Sequence, residues 1–335
     1  MATIVGAFAA SHGPLLSMPP ELWHLRAGAD MKNPSHWFQG RAYSYAELLE
    51  ARAPGFADAV TQAQMQARFA ACQVALDTLA ERFAAVQADL VLVLGNDQRE
   101  VFKDDLTPAL TLYSGAQIDN IALSEAQRLR LPPGVAEAED GHCPPEGAVY
   151  PGAPAHALQL AAALCDAGFD PAVSHRLPQG EDRQHGIPHA FGFVYRRVMR
   201  DAPPPSVPLF LNVGVAPNQP RVARCLALGH ALGAALKSLP DELRVAVVAS
   251  GGMSHFVVDE ALDQMVLQAL AQGDEATLCG IAEPYFNGNT AEIKSWLPLV
   301  GIAQSAGLTM NLIDYVACYR SPAGTGSGMA FASWS

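Results

Sequence analysis

The chain has 335 residues, half of them hydrophobic, with 16% charged residues and a formal net charge of −12. That supply of apolar side chains can fill a large core, and no Lys/Arg stripe offers the footprint of a nucleic-acid binder. Six cysteines without CxxC spacing argue against a thiolate metal site or a disulfide framework and fit a reducing cytoplasm.

The apolar start, residues 3–10, lacks a basic leader and is too short to span a membrane, so it reads as a first strand. It ends at Ser11-His12-Gly13-Pro14. Residues 15–60 carry Pro, Trp23, Trp37, His24 and His36 without clear periodicity, and end in a short helix near 44–51. An excursion this long inside a compact domain is expected to be a lid or binding loop, although a surface insertion packed on its own aromatics explains the composition equally well.

Apolar spacing over 59–84 predicts a long amphipathic helix. A buried strand follows at 89–95 and runs into Asn96-Asp97-Gln98-Arg99-Glu100, where local Asx hydrogen bonding is a sufficient account of Asn96 and Asp97. Residues 107–114 suggest another strand, 132–154 a loop holding His142, 153–167 a helix and 170–176 a strand. The turn Gln184-His185-Gly186-Ile187-Pro188-His189 leads into a helix ending near Arg200. A strand at 207–213 and a helix at 220–237 come next.

The run Val245-Ala-Val-Val-Ala-Ser-Gly-Gly-Met-Ser-His255 reads as a central strand stopped by two glycines, which deliver His255 beyond its carboxyl end. Helices near 258–272 and 290–306 follow, then a tail rich in Gly at 323–329. Glu292 would fall in a first helical turn, where the helix dipole alone favours a carboxylate. Strands alternating with helices predict a single α/β domain, 1–335, in three α/β/α layers around a mixed sheet, with its site at the strand carboxyl ends.

The ordered set Ser11-His12-Gly13-Pro14, Asn96-Asp97, His185-Gly186, Gly251-Gly252-Met253-Ser254-His255 and Glu292-Ile293-Lys294-Ser295-Trp296 resembles the class III (LigB-type) extradiol ring-cleaving dioxygenases over nearly the whole chain. The segment 15–60 is most similar to relatives acting on methoxylated or trihydroxylated benzoates such as 3-O-methylgallate. The resemblance implies Fe(II) held by His12 and Glu292, with His255 as acid–base and His185 bonding substrate or an oxygen-derived group. It also implies a small aromatic substrate of the protocatechuate or gallate kind, dioxygen, homo-oligomers, and in some relatives a small helical partner subunit.

One position departs from the pattern. Where the family carries a second histidine ligand after Asn-Asp, this chain has Gln98. Gln98 coordinates through its amide oxygen, or Glu100 or a lid histidine such as His36 completes the shell, or the metal binds poorly. The last case leaves a binding protein on the same scaffold; a zinc enzyme acting on a catechol-like substrate is the other rival. His36 and Arg99 are the expected substrate contacts, with Arg41 and Arg183 as further partners for a substrate carboxylate.

Overall fold

The computed structural model describes every residue except Glu181, Asp182, Gln184, His185 and Asp241. The described residues form a nine-stranded mixed sheet with helices on both faces, as the alternation of elements predicts. Four parallel strands make its centre, in the order Thr3–Ala10, Arg244–Ser250, Leu90–Asn96 and Ser206–Leu211. Strand Leu110–Tyr113 runs antiparallel to the last of these and pairs on its other side with Ala172–Ser174. On the opposite flank, Thr325–Trp334 pairs antiparallel with Thr3–Ala10, His255–Val257 and Met310–Tyr319.

The central strands are continuous apolar runs because both of their faces are covered. Leu92, Leu94, Val247 and Ala249 point into one core, with helices Pro154–Asp166, Val222–Lys237 and Pro298–Ala306 over them. Their neighbours Val91, Val93, Ala246 and Val248 point into the other, under helix Gln62–Ala85 and residues 187–199. This period-two division of one strand between two cores produces the three layers.

Three expectations change. The segment 15–60 is ordered by elements of its own: helix Trp23–Lys32, a hairpin of His36–Phe38 with Arg41–Tyr43, and helix Tyr45–Ala51, which opens on a Ser44/Glu47 capping box. The helix expected at 290–306 starts at Pro298, and Glu292 lies instead in a 3-10 turn, Gly288–Ser295, with the carboxylate inside the protein. The glycine-rich tail is a buried ten-residue strand, paired along its length with Met310–Tyr319. All six cysteines are free, as expected, though Cys72 and Cys318 do meet in the core with sulfurs 3.7 Å apart. No described helix is long and apolar enough to cross a membrane.

Candidate active site

Because the three strands Thr3–Ala10, Arg244–Ser250 and Leu90–Asn96 are adjacent and parallel, their carboxyl ends open on one edge of the sheet. His12, His255 and Gln98 leave that edge within a few residues of the strand ends. Glu292 reaches them from its 3-10 turn. The two glycines after Ser250 permit the approach: a Cβ on Gly251 would stand 2.5 Å from the Glu292 carbonyl oxygen, and one on Gly252 2.6 Å from the His255 ring. Trp296 Nε1 donates to the Gly251 carbonyl at 2.9 Å and ties the two segments together.

Glu292 is the hub. Its Oε2 accepts from the Gly252 amide at 2.9 Å and lies 3.4 Å from both His12 Nε2 and His255 Nε2, while Oε1 accepts from the Gln98 amide. Burial opposes its ionisation, yet the two histidines more than offset that and hold it well below the usual carboxylate range.

The two histidines differ in basicity. Ser250 Oγ donates to the Ala190 carbonyl at 2.6 Å, so toward His12 Nδ1, 3.0 Å away, it can only accept. The proton of His12 therefore sits on Nδ1, and Nε2 carries a bare lone pair. Burial reinforces this by lowering the His12 pKa to about 4, helped by the nearby His189 and His255. Among the described residues Nε2 has no hydrogen-bond partner, although it is buried and faces a carboxylate. His255 also commits Nδ1, to the Met253 carbonyl at 2.7 Å. Burial lowers its basicity, but Glu292 and the Met253 bond outweigh this and raise its pKa.

A lone pair and a carboxylate oxygen facing one another across 3.4 Å repel unless a cation lies between them. Two donors each about 2.1 Å from one ion stand roughly 3.0–3.4 Å apart at right-angled to tetrahedral geometry. His12 and Glu292 thus fit a divalent metal. The amide of Gln98, which already reaches the Glu292 carboxylate, stands where it could serve as a further donor. A half-turn of that amide presents its oxygen in place of its nitrogen.

These side chains form one end of a cavity of about 390 Å³. Its far walls come from Pro14, Ser17 and Arg26 in the segment 15–60 region, and from Leu131, Val135 and Glu139 of a second covering segment. His189 lines it too, edge-on to His12 with ring centroids 4.9 Å apart. Its amide and its Nδ1 both bond the Glu100 carboxylate, and although burial acts the other way, this pairing raises the His189 pKa to about 9. Glu100 is thereby engaged with His189.

The structure brings His12, Gln98, His255 and Glu292 together and places His36, Arg99, Arg41 and Arg183 elsewhere. His36 is buried outside the cavity, its Nε2 on the Asp30 carbonyl at 2.9 Å. Arg99 pairs with Asp104 at 2.6 Å and faces a separate cavity of about 270 Å³ behind Gln98. Arg41 packs over Tyr43, and Arg183 bonds Val101 and Asp105. His185 lies outside the described residues. Arg26, Glu139 and His189 are among the ionisable cavity residues to which the sequence assigned no role; of these only His189, in a turn with two histidines, carried a signal.

The family model for the catalytic LigB subunit of aromatic ring-opening dioxygenases matches residues 59–329. A 2,3-dihydroxyphenylpropionate/2,3-dihydroxicinnamic acid 1,2-dioxygenase of Comamonas testosteroni is 33% identical over 187 residues, 55% of this chain and 49% of that protein. A protein of the same name from Klebsiella pneumoniae (strain 342) is 29% identical over 174 residues, 52% of this chain and 46% of that one. A gallate dioxygenase of Pseudomonas putida is 48% identical over 54 residues, 16% of each chain. The chain spans about half the length, or less, of these curated relatives.

Proposed function

The chain belongs to the family of catalytic LigB subunits of aromatic ring-opening dioxygenases, and from that premise we propose that it opens the ring of a catechol with dioxygen, by extradiol cleavage dependent on Fe(II). The observation that carries this reading is the bare Nε2 of His12, fixed in its tautomer by Ser250 and set 3.4 Å from the Glu292 carboxylate. His12, Glu292 and the amide oxygen of Gln98 are the residues that would hold the metal. Iron bound there supplies open positions at which a catecholate and dioxygen meet, as two-histidine, one-carboxylate sites do.

The remaining work belongs to the chain's own groups. His255, with Nδ1 locked on a carbonyl, presents Nε2 as the one ring atom that can exchange a proton with a catechol hydroxyl, taking it and later returning it. His189, held cationic by Glu100, keeps its other ring N–H free to bond an oxyanion on the substrate. Phe193 and the apolar walls exclude water from the flat ring.

The test is oxygen uptake after anaerobic loading with Fe(II), using protocatechuate, gallate, 3-O-methylgallate and 3-(2,3-dihydroxyphenyl)propionate, with His255→Ala as control. Uptake with a yellow ring-opened product, lost in the control, supports the proposal. No uptake on any substrate, with zinc or no metal retained after desalting, overturns it in favour of a zinc enzyme or a binding protein.

A further inference from the structure

The cavity contains a buried cation that nothing in the proposed chemistry of the metal end uses. Arg26, on helix Trp23–Lys32, is only 7% exposed and lines the cavity wall. Among the described residues its guanidinium makes one hydrogen bond, Nη1 to the Pro133 carbonyl at 3.2 Å, and its Nε has no partner.

The carboxylate that should neutralise it is already engaged. Asp30, one turn along the same helix, takes a two-point pair from Arg320, with Nε at 2.6 Å and Nη2 at 2.9 Å, and a third bond from Thr325 Oγ1 at 2.6 Å. Two buried guanidinium groups therefore share one carboxylate. Arg320 and Asp30 are the charges that act on Arg26, and burial pushes its pKa down. Glu139, also buried in the wall, lies 3.5 Å from His142, forms no ion pair with Arg26, and its carboxylate accepts no hydrogen bond among the described residues. A buried guanidinium whose neighbouring carboxylate is already bonded elsewhere is costly, and an anion bound in the cavity would offset that cost.

Phe256 sets the distance from the chemistry. Its ring centroid is 5.8 Å from that of His255 and 5.6 Å from the Arg26 guanidinium. The cation and the acid–base histidine thus stand one aromatic ring apart, along one wall of the same cavity.

We propose that Arg26 is the specificity-determining residue of this site, anchoring the carboxylate of a catechol that bears an acidic substituent on the ring or at the end of a short side chain. The proposal rests on the ring-cleavage reading for its substrate, but the anion site itself does not need the reaction. The guanidinium fork matches a carboxylate in two-point geometry, and its desolvated position makes each bond count. Charge then sorts substrates: anionic catechols are held with their hydroxyls toward His255, and uncharged ones lose that anchor.

The experiment compares wild type, Arg26→Lys and Arg26→Met, loaded with Fe(II), on protocatechuate, 3-(2,3-dihydroxyphenyl)propionate and uncharged 3-methylcatechol. In Arg26→Met, KM for whichever acidic catechol the wild type prefers rises by about 10- to 100-fold, the scale of a lost charged hydrogen bond. KM for 3-methylcatechol stays within about twofold, which also shows the variant is folded, and Arg26→Lys falls between. The preferred acid distinguishes a ring carboxylate from a side-chain one.

Separately, calorimetry measures binding of 3-phenylpropionate and benzoate, which lack both hydroxyls, to protein without added metal. Binding of either by wild type and not by Arg26→Met supports the anion site even if no catechol is cleaved, in which case only the ring-cleavage reading fails. Equal losses on charged and uncharged catechols, no preference for acidic catechols in wild type, or unchanged binding of the hydroxyl-free acids by Arg26→Met would each overturn the proposal.

Discussion

Ser250 Oγ accepts from His12 Nδ1 at 3.0 Å while giving its own proton to the Ala190 carbonyl at 2.6 Å, and so dictates which nitrogen of His12 faces Glu292. Replacement by alanine leaves Nδ1 without a partner in the core and frees the ring to take the other tautomer. Metal affinity in Ser250→Ala is expected to fall by about 10- to 100-fold, the usual effect of removing the group that orients a histidine ligand. Competition for Fe(II) against a chromogenic chelator measures it. An unchanged affinity would mean that His12 does not bind the metal through Nε2.

Gln98 offers a harder test of the same site. Its amide already reaches the Glu292 carboxylate, so the side chain points where a ligand must be. An imidazole is a stronger donor to Fe(II) than an amide oxygen. Gln98→His is expected to tighten Fe(II) binding at least about tenfold, and Gln98→Ala to weaken it, in the same competition assay. If neither change moves the affinity, the third donor lies elsewhere.

The parts that were legible in sequence were those built from strong local signals. Val245–Ser250 and Leu90–Asn96 could be read as central strands because burial on both faces leaves an unbroken apolar run. Strand ends also located His12, Gln98 and His255, which lie two to five residues beyond Ala10, Asn96 and Ser250. The strand Thr325–Trp334 was not legible, because glycine, serine and alanine fill most of its buried positions and interrupt the apolar run around Met329, Phe331 and Trp334. Those residues fit a crowded space: a Cβ on Gly328 would stand 2.2 Å from Asp263 Oδ2.

Substrate contacts were the least legible. Arg26 sits in a segment without periodicity, and its isolation from a counter-ion depends on Arg320, almost three hundred residues away, capturing Asp30. Arg99, beside the strand end, was the better guess by position, but its side chain turns outward to Asp104. Glu292 was placed by resemblance, while the helix-dipole account of it failed because no α-helix begins there.

Gly252 and His255 supply a prediction about positioning. A methyl group on Gly252 would meet Cε1 of the His255 ring at 2.6 Å, and the ring, a side chain at the edge of the cavity, is the part that can move. Gly252→Ala is expected to lower kcat by about a hundredfold, the scale of a displacement of about 1 Å in a catalytic group. KM for the catechol and the retained metal should change little, and thermal unfolding should shift only a few degrees. Collapse of metal binding together with kcat would show that the glycine serves Glu292 rather than His255.

Asp263 ties stability to pH from behind the site. It is fully buried, accepts from the amide and the hydroxyl of Ser254 at 2.7 Å each and from Tyr315 at 2.7 Å, and so braces the residue before His255. Burial raises its pKa from 3.8 to about 6; its hydrogen bonds pull the other way, and the nearby Asp259 adds to the rise. A carboxyl group whose pKa is higher in the folded state contributes stability that is complete below 3.8 and lost as the pH rises through about 6. A shift of that size corresponds to a change on the order of 3 kcal/mol. Asp263→Asn keeps the shape and removes the titration. The unfolding free energy of wild type minus that of the variant, from urea denaturation, should therefore decrease between about pH 4 and pH 7 by an amount approaching that figure. A flat difference would mean that Asp263 is not protonated on folding and that Ser254 and Tyr315 stabilise its charged form even at neutral pH.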